Sequence, residues 1–193
     1  FNTYIIYKYM IRLGSGTSVF NLDTTNDTRI FRGFGIIDPS VVEGIVECDA
    51  VDREHYGYDY RSIDLNGPTI MFIQQVASEF LDMFNYNHKK TIWYMDVIRY
   101  NLNGETPIDS GLAWHCENDN YSNLITVLMY PRVDGGVRHG GLGYIDSKGV
   151  EQKIMIETDT VIVMDGEVVH KPDNPHGIGK RDLIAVSFEK YSY

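Results

Sequence analysis

Trp114-His115-Cys116-Glu117-Asn118 and, just beyond it, Leu124-Ile125-Thr126-Val127-Leu128-Met129-Tyr130-Pro131 set the fold of this chain. A polar His-x-Glu run hands over to an apolar, β-branched run closed by a proline, the pattern of a buried strand rather than a helix. Working outward toward the carboxy terminus, Gly135, Gly136, Gly140 and Gly141 mark a turn before Leu142 to Ile145. Ser147-Lys148-Gly149 reads as a hairpin turn into Val150 to Glu157. Asp159 to Met164 is another apolar strand, turned at Asp165-Gly166 into Glu167 to His170, and Arg181 to Lys190 is the last. In the other direction, Gly111 to Glu117 reads as a strand after a loop at Pro107, and Ile92 to Tyr100 as one ended by Asn101-Leu102-Asn103-Gly104. Short strands with turn signals at this spacing predict a sandwich or barrel, not a parallel sheet.

The amino-terminal part differs. Ile70, Ile73, Val76, Ala77, Phe80, Leu81 and Phe84 recur at helical spacing, so Pro68 to Tyr86 is predicted to be a helix with one apolar stripe, begun near Pro68. Tyr4 to Tyr7 and Arg29 to Phe31 read as short strands, and Asn21 to Asp27 as a polar connector. Asp38-Pro39-Ser40 can start a short helix, with Asp38 as its cap. Asp52 to Arg61, dense in charge and tyrosine, reads as a loop that covers a site. The fold class expected is mainly β with supporting helices. One domain spanning 1–193 is expected, 1–90 forming a helix-containing support and 91–193 the β core.

The net charge of −10 supplies no basic stripe for phosphates, so no nucleic-acid partner is expected. No run reaches the roughly 18 apolar residues of a membrane span, and Phe1 to Met10 lacks a signal-peptide layout. Cys48 and Cys116 make no disulfide framework and no Cys-x-x-Cys pattern, which favours a reducing, cytoplasmic setting. A small or peptide-like partner fits this balance.

On a strand, residues two apart share a face, so His115 and Glu117 would project together while Trp114 and Cys116 point away. A His-x-Glu pair alone also reads as a plain polar strand end. A distal histidine changes its meaning. His170 directly follows the apolar pair Val168-Val169, whereas the competing His176 falls in the stretch from Pro172 to Gly179, read as a loop. Two imidazoles and one carboxylate on one side of a metal leave positions open, the ligand set of a non-haem Fe(II) oxygenase. His55, His88 and His139 read as surface or loop residues. Arg181 opens the last strand with Leu183, Ala185 and Ser187 on its face, while Ile184, Val186 and Phe188 pack the other way. A guanidinium there suits a bidentate grip on a carboxylate; a salt bridge with Asp182, or Lys180 in its place, are the alternatives.

Taken in order, Val97-Ile98-Arg99-Tyr100 with Gly104, Trp114-His115-Cys116-Glu117, Leu124 to Tyr130, Gly140-Gly141-Leu142, Asp159 to Met164, Val169-His170 and Gly179-Lys180-Arg181 resemble the 2-oxoglutarate- and Fe(II)-dependent oxygenases. The likeness covers about Ile92 to Lys190 and points to the prolyl 4-hydroxylase-like branch. It implies a double-stranded β-helix, a jelly-roll or cupin-like barrel buttressed by the Pro68 helix. It implies His115, Glu117 and His170 as Fe(II) ligands and Arg181 as the anchor of 2-oxoglutarate, with Tyr130 and Tyr100 lining that pocket. Dioxygen is the implied oxidant, ascorbate an accessory reductant, and a peptidyl (prolyl-like) or small-molecule C–H bond the implied target. A 2-oxoglutarate-independent cupin-like metal enzyme and a catalytically silent binding module are the other readings of the same barrel. The chain departs from the branch in two places. Its acid is Glu117 where Asp is usual, and the Tyr100 to His115 loop is longer.

Overall fold

The computed structural model describes residues 8–13, 16–21, 23–24, 27–34, 59–62, 68–83, 86–104, 106–107, 112–118 and 123–191. Its largest sheet is assembled on the last long strand, β13 (His176–Lys190). On one side β13 pairs with β6 (His88–Gly104), and β6 in turn with β5 (Asp59–Ser62). On the other side lie β7 (Leu124–Val133) and the short β8 (Val137–Arg138). Beyond β7 come β11 (Thr160–Asp165), β4 (Ile30–Phe34) and β3 (Asp23–Thr24), which completes eight antiparallel strands. Strands from the first ninety residues thus close both edges of the sheet built by the carboxy-terminal half. A second sheet has β9 (Leu142–Ile145) between β10 (Glu151–Ile154) and β12 (His170–Pro172). β1 (Lys8–Leu13) and β2 (Gly16–Asn21) form a separate ribbon.

Alternation along β6, β7 and β13 divides the buried residues into two cores. Helix α1 (Pro68–Met83) covers one face of the large sheet. Ile73, Val76, Ala77, Phe80 and Leu81 recur at three- and four-residue steps and pack on Met95, Val97, Ile125, Val127, Met129, Ile184, Val186 and Phe188. Burial of each large side chain here contributes about 1.5–3 kcal/mol. The other face looks toward the small sheet. There Ile98, Tyr100, Leu128, Tyr130, Leu183 and Ala185 meet Leu142, Tyr144 and Ile154 in the barrel interior.

The mainly-β expectation is met, and several boundaries are corrected. β6 continues through Asn101–Gly104, because Gly177 to Lys180 of β13 pair with it; Leu102 is buried between exposed Asn101 and Asn103. β7 runs through Pro131 to Val133. The register of β7 on β13 slips between Asp182 and Ile184, where the proline lacks an N–H to donate. β13 begins at His176, so the stretch read as a loop is largely strand. Gly177 and Gly179 sit at φ 106° and 133°, a left-handed backbone in which the glycines mark close strand contacts rather than a loop. Tyr86, the end expected for the helix, lies outside it, and Asp59–Ser62 is strand. His88 is no surface residue: it is 3% exposed, bonded to Ser78 Oγ at 3.1 Å and to the Tyr86 carbonyl at 3.0 Å. The expectations for Tyr4 to Tyr7, Asp38 to Ser40, His55 and residues 52–58 fall outside the described residues.

Candidate metal centre

The segment carrying His115 is not a strand, as alternation had suggested. It pairs with a strand by a single antiparallel bridge, His115 N donating to His170 O at 3.0 Å and His170 N to His115 O at 2.8 Å. Directly opposed residues of such a bridge project on the same side. The two imidazoles therefore lie together, with ring centroids 4.3 Å apart. Past the bridge, Asn118 pins the segment. Its N–H donates to Gly166 O at 2.9 Å and its Oδ1 accepts from Leu124 N at 2.7 Å, a contact that leaves no room for a side chain at Gly166.

Between these anchors Glu117 turns back toward the histidines. Its Oε1 lies 3.7 Å from His115 Nε2 and 3.5 Å from His170 Nε2. One ligand atom from each of the three falls within 4.8 Å of the others, and no other group of three or more such residues is brought together among the described residues. His139 is exposed and stacks on His176 at 4.6 Å, outside this group. Both histidines are held in the same orientation. His115 Nδ1 donates to Ala113 O and His170 Nδ1 to Val168 O, each at 2.9 Å, so each Nε2 is turned toward the cluster. Burial opposes ionisation of Glu117, but hydrogen bonds from His115, His170 and Tyr94 outweigh it and hold the carboxyl well below its usual range. The Glu117 contact raises His115 above its ordinary value. Two imidazole nitrogens and one carboxylate are a donor set for a divalent transition metal, with the remaining positions free for other ligands.

Arg181 lies on the interior face of β13, opposite Tyr100 on β6 and 2% exposed. Its guanidinium carbon sits 5.2 Å from the Tyr100 ring centre and 5.1 Å from that of Tyr130, over both rings. Nε and Nη1 have no partner among the described residues. The salt bridge considered with Asp182 is not made. Asp182 faces the opposite way and is held by Arg99, at 2.7 and 2.8 Å. Gly140, at φ 75°, completes the cradle: a Cβ there would come 2.7 Å from Arg181 Nη1.

Sequence reasoning passed over Tyr94, whose hydroxyl donates to Glu117 Oε2 at 2.5 Å. The signal was available, since positions 94, 96, 98 and 100 share a strand face.

Similar architectures occur among solved structures. A prolyl-4-hydroxylase from Pseudomonas putida is 14% identical, with 85% of this chain and 94% of that one covered at a TM-score of 0.58. A prolyl hydroxylase from Trichoplax adhaerens, in complex with a hypoxia inducible factor peptide fragment, is 15% identical, with 86% and 85% covered at 0.56. HygX from Streptomyces hygroscopicus, with nickel, 2-oxoglutarate and hygromycin B bound, is 12% identical, with 87% and 85% covered at 0.58. No family model and no curated protein matches the sequence. The fold is that of the 2-oxoglutarate- and Fe(II)-dependent oxygenases. It is a double-stranded β-helix. Within this oxygenase fold the His-Glu-His cluster lies at the seam where β12 meets the His115 segment, and Arg181 is set into the interior face of the large sheet.

Proposed function

We propose that this protein is an Fe(II)- and 2-oxoglutarate-dependent oxygenase that hydroxylates a C–H bond. His115, Glu117 and His170 are its iron ligands, and Arg181 is the anchor of the co-substrate carboxylate, with Tyr130 and Tyr100 as the walls of that pocket. Arg181 carries the reading. A guanidinium stays charged at any working pH, and a buried charge with unmet donors is costly unless something anionic completes it. A planar carboxylate matches its fork with two parallel hydrogen bonds. The donor set fits Fe(II) as well, since both histidines present Nε2 and the acid is ionised.

When bound, Fe(II) supplies dioxygen activation coupled to decarboxylation of 2-oxoglutarate to succinate and CO2, which delivers oxygen to the substrate. The chain supplies the rest. Backbone carbonyls of Ala113 and Val168 keep the imidazoles aimed, with Nε2 toward the site. Arg181 fixes one end of the co-substrate, and Ile98, Leu128, Leu183 and Ala185 wall the interior against water. A peptidyl, prolyl-like side chain or a small molecule is the proposed substrate. The peptide bound by the Trichoplax adhaerens enzyme and the hygromycin B bound by HygX support these two classes.

Anaerobic loading with Fe(II) and 2-oxoglutarate, followed by air with ascorbate present and a panel of prolyl peptides and small molecules, tests the reading. Succinate should form only with both iron and 2-oxoglutarate, and should rise with the true substrate. Product formation that does not depend on 2-oxoglutarate would favour the cupin-like alternative instead.

A further inference from the structure

We propose that Tyr94 is a positioning residue that makes Glu117 a one-oxygen ligand. It holds Oε2 away so that only Oε1 is presented to the metal between His115 and His170. The inference rests on the oxygenase reading for the metal, and goes beyond it in assigning how the acid is held.

The two oxygens of Glu117 are in different surroundings. Oε1 faces His170 Nε2 at 3.5 Å and His115 Nε2 at 3.7 Å, while Oε2 accepts the Tyr94 hydroxyl at 2.5 Å. A glutamate has one more rotatable bond than an aspartate, so without a second anchor its carboxylate can swing or chelate through both oxygens. Chelation would fill one of the positions that co-substrate and dioxygen need. Tyr94 supplies the anchor.

Tyr94 is itself fixed from behind. It lies opposite Ser187 on β13, which lies opposite Thr126 on β7. Ser187 Oγ and Thr126 Oγ1 are 2.7 Å apart and hydrogen-bonded to each other, on two residues with no solvent exposure. An ionised carboxylate only accepts. Tyr94 must then donate to Glu117. Tyr94 thus stands opposite a buried Ser187–Thr126 pair that bridges β13 and β7, and its hydroxyl ends on Oε2.

Anaerobic Co(II) titration of the whole chain, read by affinity and by the visible spectrum of the bound ion, tests the assignment with Tyr94→Phe, Glu117→Asp and the double variant. Phenylalanine keeps the ring, so thermal unfolding serves as the check that packing is retained. Tyr94→Phe should weaken Co(II) binding about tenfold or more and alter the spectrum as the carboxylate changes its mode. In the Glu117→Asp background the shorter acid does not reach Tyr94, so adding Tyr94→Phe should change neither readout. Ser187→Ala, which leaves the Tyr94 contact in place, should produce a smaller shift in the same direction. Wild-type affinity and spectrum in Tyr94→Phe, or an equal loss in both backgrounds, overturns the assignment while Glu117-dependent Co(II) binding leaves the oxygenase reading standing. No Co(II) binding by the unchanged chain removes both.

Discussion

β6, β7 and β13 present two faces made of alternate residues of the same strands, and the faces are unlike. Toward α1 they offer Met95, Val97, Ile125, Val127, Met129, Ile184, Val186 and Phe188, an apolar surface closed by the helix stripe. Toward the barrel interior they offer Tyr94, Tyr100, Thr126, Tyr130, Arg181 and Ser187 among Ile98, Leu128, Leu183 and Ala185. Both faces are buried, so burial alone does not separate them. The difference is whether polar needs are met within the chain. The helix-facing core has few to meet. The interior holds a charged guanidinium with two donor atoms unpartnered among the described residues, and a carboxylate between two aimed imidazoles. One face stabilises, and the other is arranged to be completed by a ligand.

The largest effect should come from cutting the interior face at its ligands. His115→Ala or Glu117→Ala should abolish metal binding while the melting temperature of the metal-free chain stays near that of the parent, because neither side chain packs in either core. Metal titration beside thermal unfolding reads both; tight iron retention by both variants would break the distinction. The opposite cut is Phe188→Ala on the helix side, where a fully buried ring is lost. It should cost about 3–5 kcal/mol in urea unfolding, while any fraction still folded binds metal normally. Arg181→Met crosses the comparison. Replacing a buried charge by an apolar chain of similar length should leave the metal-free fold as stable or more so. The same change should raise the 2-oxoglutarate KM at least about tenfold, the worth of one charged hydrogen bond. An unchanged KM would show that another residue, Lys180 first, anchors the co-substrate.

Much of this was legible in the chain because the interior residues lie on strands, where period-two spacing carries direction. Arg181, Leu183 and Ala185 on one face and Ile184, Val186 and Phe188 on the other were readable for that reason, as was the α1 stripe. His115 and Glu117 were read correctly as neighbours but for an incomplete reason. They converge through a single bridge to His170 and the Asn118 clamp on Gly166, and no local pattern announces a contact between residues so far apart. The boundary errors share a cause. Asn101, Asn103, Pro131, Gly177 and Gly179 are residues that break isolated strands, yet each lies in a long pairing of β13 with β6 or β7 that supplies what local propensity lacks. His88 was misplaced because one partner, Ser78, belongs to α1 and the other is the Tyr86 carbonyl, and its packing against Phe188 is a contact across the fold.

Asp27 gives the finest test, since it separates polarity from unmet polarity. It is as buried as Arg181, 2% exposed, yet all its needs are satisfied. Oδ1 accepts from Arg29 N at 2.9 Å and Nε at 3.0 Å, and Oδ2 from Arg29 Nη2 at 2.7 Å and Ser147 N at 2.8 Å. It thereby ties the chain before β4 to the turn between β9 and β10. The Arg29 hydrogen bonds, opposed by burial, hold its carboxyl below the ordinary 3.8. A depressed folded value means that the charged form adds stability above about pH 3.8 and that this is lost as pH falls through the lower folded value. Asp27→Asn keeps the shape but cannot accept on both sides, so it should destabilise by about 2 kcal/mol at neutral pH. In urea titrations across acid pH the gap between parent and variant should close below that value. Arg181→Met should show the opposite sign, neutral or stabilising. If both substitutions destabilised alike, the interior arginine would be a structural group with its needs met, and the two faces of the sheet would differ only in composition.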